Sequence, residues 1–225
     1  MNYTGAISSK LPNVGTTIFT VMSQLAAEHD AINLSQGFPD FPVSKELISL
    51  IHQNMKSGYN QYAPMHGYAG LREQIAIKTE TLYSAIYDVE SEITVTAGAT
   101  QAIFTAIQAF VNPGDEVIVP APYWTTYPEA VTLAGGVPVV VDTTEETGFR
   151  VTVEQLEKAL TKRTKVLLFV SPDNPSGSVY PPEEVKAIGE WAVSRGIWVI
   201  TDEIYEHLTY GQHKFTSMPT LVPEL

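Results

Sequence analysis

The chain has 225 residues, 44% of them apolar, an ordinary globular composition that argues against disorder and allows one to two domains. Thirteen Lys and Arg against 25 Asp and Glu give a formal charge of −12, which argues against nucleic acid or an anionic membrane surface as the main partner. The absence of cysteine excludes disulfides, thiolate metal sites and cysteine nucleophiles; no apolar run reaches the roughly 18 residues of a membrane span, and Met1 to Lys10 lack a secretory pattern, so a soluble, cytoplasmic protein is expected.

Residues 1–13 read as irregular. A helix is expected over about 15–29, then a turn-rich segment, Leu34 to Pro42. A second helix covers about 44–56, with Gly58 just beyond its end, and a third about 70–84. A regular alternation follows. Ile93 to Thr96 reads as a strand, and Ala99 to Val111 as a helix whose Ile103, Phe104, Ile107, Phe110 and Val111 recur at helical spacing. Asn112 to Asp115 is a turn, 117–119 a strand, and about 124–134 a helix stopped by Gly135 and Gly136. Val137 to Val141 is a strand that Pro138 assigns to an edge or a late start. Thr152 and Gln155 are spaced as a capping box for a helix to Leu160. Val166 to Val170 is a continuous apolar strand, 181–195 a helix ended by Gly196, and Ile197 to Ile200 a last strand. Strands apolar on both faces and separated by helices predict a mostly parallel α/β sheet covered by helices on both faces.

In such sheets ligands bind beyond the carboxyl ends of the strands. Four segments lie there. Gly98, Ala99 and Thr100 open a helix with small residues, as a phosphate cup or an ordinary turn would. Trp124 either stacks on a planar ligand or packs at the sheet edge. Asn174, in Asn174-Pro175-Ser176-Gly177, either donates into a site or shapes a tight turn. Asp202, in Asp202-Glu203-Ile204-Tyr205, either needs a cationic partner or caps a helix. The five histidines show no metal-ligand spacing.

Taken together, these segments resemble the class I/II (fold-type I) aminotransferases that use pyridoxal 5′-phosphate (PLP), through essentially the whole chain. Ser35 to Phe41 and Gln61-Tyr62-Ala63-Pro64 followed by Gly70-Leu71-Arg72 also match. Residues 1 to about 111 resemble the kynurenine/methionine aminotransferase branch, and those after about 112 resemble bacterial aspartate aminotransferases. The resemblance implies that Asp202 keeps the pyridine nitrogen protonated, that Asn174 and Tyr205 hydrogen-bond the phenolic oxygen and that Trp124 stacks on the ring. It implies that Gly98, Ala99 and Thr100 hold the phosphate, that Tyr62 reaches the phosphate of the neighbouring subunit in a homodimer, and that Gly37 lies beside the substrate carboxylate. Amino acids and 2-oxo acids are the implied substrates, with no nucleic acid and no membrane as partners.

Two parts of the family's site have no match in this sequence. The family's Schiff-base lysine has no match. Lys214 is the sole lysine after Asp202; it comes too early and lacks the Ser-x-x-Lys context. Arg72, Arg150, Arg163 and Arg195 do not match the arginines that bind phosphate and substrate carboxylate. The expected organisation is therefore an N-terminal arm and part of a small domain over 1–45, and a PLP-binding large domain over 46–225 that stops before the lysine. No catalytic residue is assigned. The alternatives are a catalytically inactive fragment and a PLP-dependent lyase of the same fold.

Overall fold

The computed structural model describes residues 8–37 and 39–225. The expectation for residues 1–7 and for Phe38, within the Ser35 to Phe41 segment, lies outside the described residues. The chain divides into two compact units, Met1–Pro64 and Met65–Leu225.

In the first unit, α1 (Ile18–Glu28) starts at Thr17, whose hydroxyl accepts the Thr20 N–H at 3.3 Å. Helix α2 (Lys45–Lys56) carries Glu46 in its first turn and Lys56 in its last, each on the favourable end of the helix dipole. Gly58 follows the Ser57 cap at φ +96°, a conformation that favours glycine. No described residue of this unit is buried. Leu47, Ile48, Ile51 and Met55 of α2 form an apolar stripe at helical spacing and are 50–55% exposed. The described residues of this unit therefore form no core of their own, and short helices draw most of their stability from such packing.

The second unit begins with α3 (Ala69–Tyr83), which ends at Ser84 in the left-handed region (φ 56°). Its Arg72 is buried and donates to the Val89 carbonyl. The strand expected at Ile93 to Thr96 is not formed. Ile93 is buried, but the Val95 N–H reaches the His66 carbonyl (3.0 Å) rather than a strand, and no neighbouring strand lies along this segment among the described residues. A strand exists only when a partner satisfies its backbone, and β-pattern alone cannot supply one.

The elements then follow as α4 (Ala99–Phe110), β1 (Glu116–Ala121), α5 (Thr126–Leu133), β2 (Val137–Asp142), α6 (Val153–Ala159), β3 (Thr164–Val170), α7 (Pro182–Arg195), β4 (Trp198–Asp202) and α8 (Met218–Leu221). The Thr152/Gln155 capping box is present on α6, and Gly196 closes α7 in the left-handed conformation. The sheet is parallel throughout, in the order β2-β1-β3-β4, so the strand bearing Pro138 is an edge strand.

Alternation along the central strands divides the core. Val117, Val119, Val166 and Leu168 face α4 and α5, meeting Ile103, Ile107, Tyr127 and Val131. Ile118, Leu167 and Phe169 face the other way, meeting Leu156 of α6, Val185, Ile188 and Trp191 of α7 and Met218 of α8. With apolar residues on both faces, the strands need helices on both, and α4/α5 and α6/α7/α8 provide them. At the amino end, buried Glu116 accepts from Thr161 Oγ1 (2.5 Å) and from Arg163 Nε (3.0 Å), tying β1 to the start of β3. Among the described residues, no helix is long and apolar enough to cross a membrane.

Candidate functional site

The parallel sheet aims its strand ends at one place. Val170 and Asp202, the last residues of β3 and β4, are paired neighbours in register. Beyond them is a cavity of about 170 Å³. Ala99 and Thr100 from α4, Trp124 from the loop after β1, Asn174 from the loop after β3, and Asp202 and Tyr205 from β4 and the loop beyond it all line it. These six expected residues come from four separate segments.

Asp202 is 8% exposed. Its Oδ2 accepts the Tyr127 hydroxyl at 2.6 Å and its Oδ1 accepts the Ile204 N–H at 3.2 Å. The chain after Asp202 forms turns rather than a helix, so the helix-cap alternative does not hold. Among the described residues, no Lys, Arg or His nitrogen lies within 4.0 Å of this carboxylate. A buried carboxylate satisfied only by neutral donors favours a cation brought by a ligand.

Asn174 Nδ2 lies 3.3 Å from the Tyr205 hydroxyl, so the amide and the phenol form one polar pair at the cavity wall. The loop that carries Asn174 is folded by Asp173. Its Oδ2 accepts the Ser176 N–H (3.0 Å) and hydroxyl (2.5 Å), and its backbone closes onto Ser178 and Gly177, the latter at φ +73°. Burial raises the Asp173 carboxyl above its usual range, against the lowering effect of the Ser176 bonds. The loop after β4 is anchored likewise. Glu203, raised by burial, accepts the Ser217 hydroxyl at 3.0 and 3.1 Å, and Glu206 accepts from Tyr83 and Lys78 of α3.

Gly98 precedes α4 at φ 86°, ψ 166°, a conformation essentially restricted to glycine, and a side chain there would meet no atom within 4 Å. The Gly98 N–H turns back to the Thr96 carbonyl (2.8 Å), and the Ala97 N–H to Gln101 Oε1 (2.6 Å). The N–H groups of Ala99 and Thr100 belong to the first turn, which has no intrahelical acceptor for them. Ala99 and Thr100 line the cavity, so the positive end of the helix dipole lies at its wall, where an anion is favoured.

Gly37 and Tyr62 belong to the Met1–Pro64 unit, where both are exposed. The sequence reading missed Tyr127. It is 2% exposed, in the first turn of α5, with its N–H on the Trp124 carbonyl (3.1 Å). Burial first, and then the hydrogen bond to Asp202, push its phenol far above the ordinary tyrosine value, so it is a donor throughout the working pH range. A spacing of three after Trp124, one helical turn, was the available signal. Tyr127 also lines the cavity, and Ile103, Thr126, Val170 and Ile204 complete the lining. Among the described residues, no group of three or more His, Cys, Asp or Glu could hold a metal ion.

Comparison with known proteins bears on this arrangement. Residues 29–225 match the family described as aminotransferase class I and II. An aspartate aminotransferase of Streptomyces avermitilis is 52% identical over 202 residues, covering 89% of this chain and 49% of the relative. A methionine aminotransferase of Escherichia coli is 45% identical over 210 residues, covering 93% and 54%. The crystal structure of an Escherichia coli methionine aminotransferase superposes with a TM-score of 0.90 at 42% identity, over 97% of this chain and 56% of that one. Thermus thermophilus aspartate aminotransferase with maleate gives 0.90 at 36% identity, over 98% and 58%. The chain spans about half the length of the curated relatives it matches.

Proposed function

The chain belongs to the class I and II aminotransferase family, whose members use PLP, and we propose that it carries the cofactor-binding part of an enzyme that moves an amino group from an amino acid to a 2-oxo acid. The observation that carries this reading is the buried Asp202 carboxylate, satisfied by neutral donors and lining the cavity that Trp124, Asn174, Tyr205 and the first turn of α4 also line.

The residues fit the cofactor. Asp202 supplies the anion that a protonated ring nitrogen needs. The Asn174–Tyr205 pair supplies donors for the phenolic oxygen, Trp124 an aromatic face for the ring, and Gly98, Ala99 and Thr100 a cup for the phosphate. When bound, PLP supplies an electron sink for charge developing at the α-carbon of the amino acid. The chain's own contribution is to hold the ring proton at Asp202, fix the ring plane at Trp124 and orient the phenolic oxygen at Asn174 and Tyr205.

The remaining assignments rest on the resemblance. Gly37 lies beside the substrate carboxylate, and Tyr62 serves the phosphate of a neighbouring subunit, in a cytoplasmic homodimer. Residues 1–45 act as arm and small-domain segment, and 46–225 as the large domain. The covalent lysine of the family has no counterpart among these residues, so the 225-residue chain alone binds PLP without turning over.

The test is PLP incubation, borohydride reduction and peptide mapping, beside an assay for 2-oxo acid and ammonia release. The assay uses the chain alone and the chain supplied with the C-terminal portion of a full-length relative. The expected result is no single modified lysine, no turnover alone, and 2-oxo acid without ammonia once complemented. A complemented pair that binds no PLP overturns the reading, ammonia release reassigns it to a lyase, and a specific adduct on Lys214 removes the claim that the chain lacks its lysine.

A further inference from the structure

We propose that Tyr127 is a positioning residue: its hydroxyl holds the Asp202 carboxylate in the orientation that recognises the cofactor's ring nitrogen. This rests on the PLP reading above and adds a residue that neither motif nor spacing assigned.

The geometry is specific. Tyr127 and Asp202 are 75 residues apart in sequence, yet the phenol donates to Oδ2 at 2.6 Å in a buried setting. The other oxygen takes the Ile204 N–H at 3.2 Å. The carboxylate is thus gripped by one donor on each oxygen, and two oxygens with about four lone-pair sites retain capacity for a third partner. Asp202 also lines the cavity, so that capacity is available to a ligand. The Tyr127 ring is locked among Ile103, Ile107, Ala130 and Val131 on the α4/α5 face of the sheet. A rigid ring fixes the direction of its hydroxyl, and through it the plane of the carboxylate. A core role needs only the ring; the hydroxyl adds nothing to apolar packing that phenylalanine would not supply. Its direct partner is the one side chain whose charge the cofactor must read. A neutral donor suits the task, because it orients the anion without cancelling the charge.

The experiment is a binding cycle on the 225-residue chain. The probe is pyridoxamine 5′-phosphate, whose amine cannot condense with surface lysines, beside an analogue in which C–H replaces the ring nitrogen. Tyr127→Phe is expected to weaken the natural probe roughly tenfold, the loss of one hydrogen bond to a charged group. The same variant should change the analogue by less than about twofold, because the coupling runs through the nitrogen. Placing 4-aminophenylalanine at 127, a neutral donor on the same ring, should restore the natural probe to within about twofold of wild type. Equal weakening of both probes would show that the hydroxyl only supports the fold, and would overturn the proposal. So would unchanged binding in Tyr127→Phe, or an amino variant as weak as the phenylalanine. A wild-type chain that binds neither probe removes the PLP reading and this proposal together. Wild-type binding with an indifferent Tyr127 removes only the proposal.

Discussion

Replacing Asp202 by asparagine separates a functional carboxylate from a structural one. The side chain is buried, and its two hydrogen bonds, from Tyr127 Oη and the Ile204 N–H, are its described partners. Burying an ion costs several kcal/mol, and hydrogen bonds to a charged group return about 1.5–3 kcal/mol each. The two terms nearly cancel, so the folded chain gains little from the charge. Asparagine keeps the shape and both contacts, with its oxygen on the Ile204 N–H and its NH2 donating to the Tyr127 hydroxyl oxygen, but carries no charge to desolvate. The expected change is therefore between zero and about 2 kcal/mol of added stability, a rise in Tm of up to about 4–8 °C for a chain of this size. Cofactor recognition should move the opposite way. An ion pair at about 4 Å is worth on the order of 4 kcal/mol at the effective dielectric of a protein site, so affinity for pyridoxamine 5′-phosphate should fall at least 100-fold, roughly, once partial compensation by the amide is allowed. Urea titration and calorimetric binding on the same preparations give both numbers. A variant destabilised by more than about 2 kcal/mol with unchanged cofactor affinity would refute the argument and make Asp202 a fold residue.

Three further outcomes follow from other parts of the molecule. Gly98→Ala forces an L-residue into φ 86°, ψ 166°, so it should cost about 1–3 kcal/mol and weaken inorganic phosphate binding; full affinity would show that the start of α4 is not the cup. Leu167→Ala, on the α6/α7 face away from the site, should destabilise by about 2–5 kcal/mol in urea while cofactor affinity in the native baseline is unchanged. Glu116 is held below its usual carboxyl value by the Thr161 hydroxyl and then Arg163, against the effect of burial. A depressed folded value means a contribution fully present above the unfolded value of 4.5 and lost as pH falls through the folded one. Glu116→Gln should therefore flatten the acid limb of stability against pH below 4.5, and an unaltered limb would rule that linkage out.

Periodicity and punctuation identified most elements. The Thr152/Gln155 box, the Gly196 stop and the edge placement of Pro138 could all be read because each depends on residues a few positions apart. The site was readable in part for a related reason. In a parallel sheet, chemistry gathers at and after the strand ends, where Trp124, Asn174, Asp202 and Tyr205 lie; Ala99 and Thr100, which follow a segment that forms no strand, share the same cavity from the start of α4. Other features were invisible because they depend on distant partners. Ile93 to Thr96 has the composition of a strand, but among the described residues no neighbouring strand satisfies its backbone. Tyr127 reads as one more apolar helix position until folding brings it 2.6 Å from a carboxylate 75 residues away. Local pattern by itself identified most of the helices and strands, because backbone geometry repeats over a few residues, but not whether Ile93 to Thr96 would find a strand partner. Which side chains stand close enough to hold one another, and hence which buried carboxylate rests on neutral donors beside a cavity, was decided only by tertiary structure, since hydrogen bonds act over a few ångströms of space rather than along the chain.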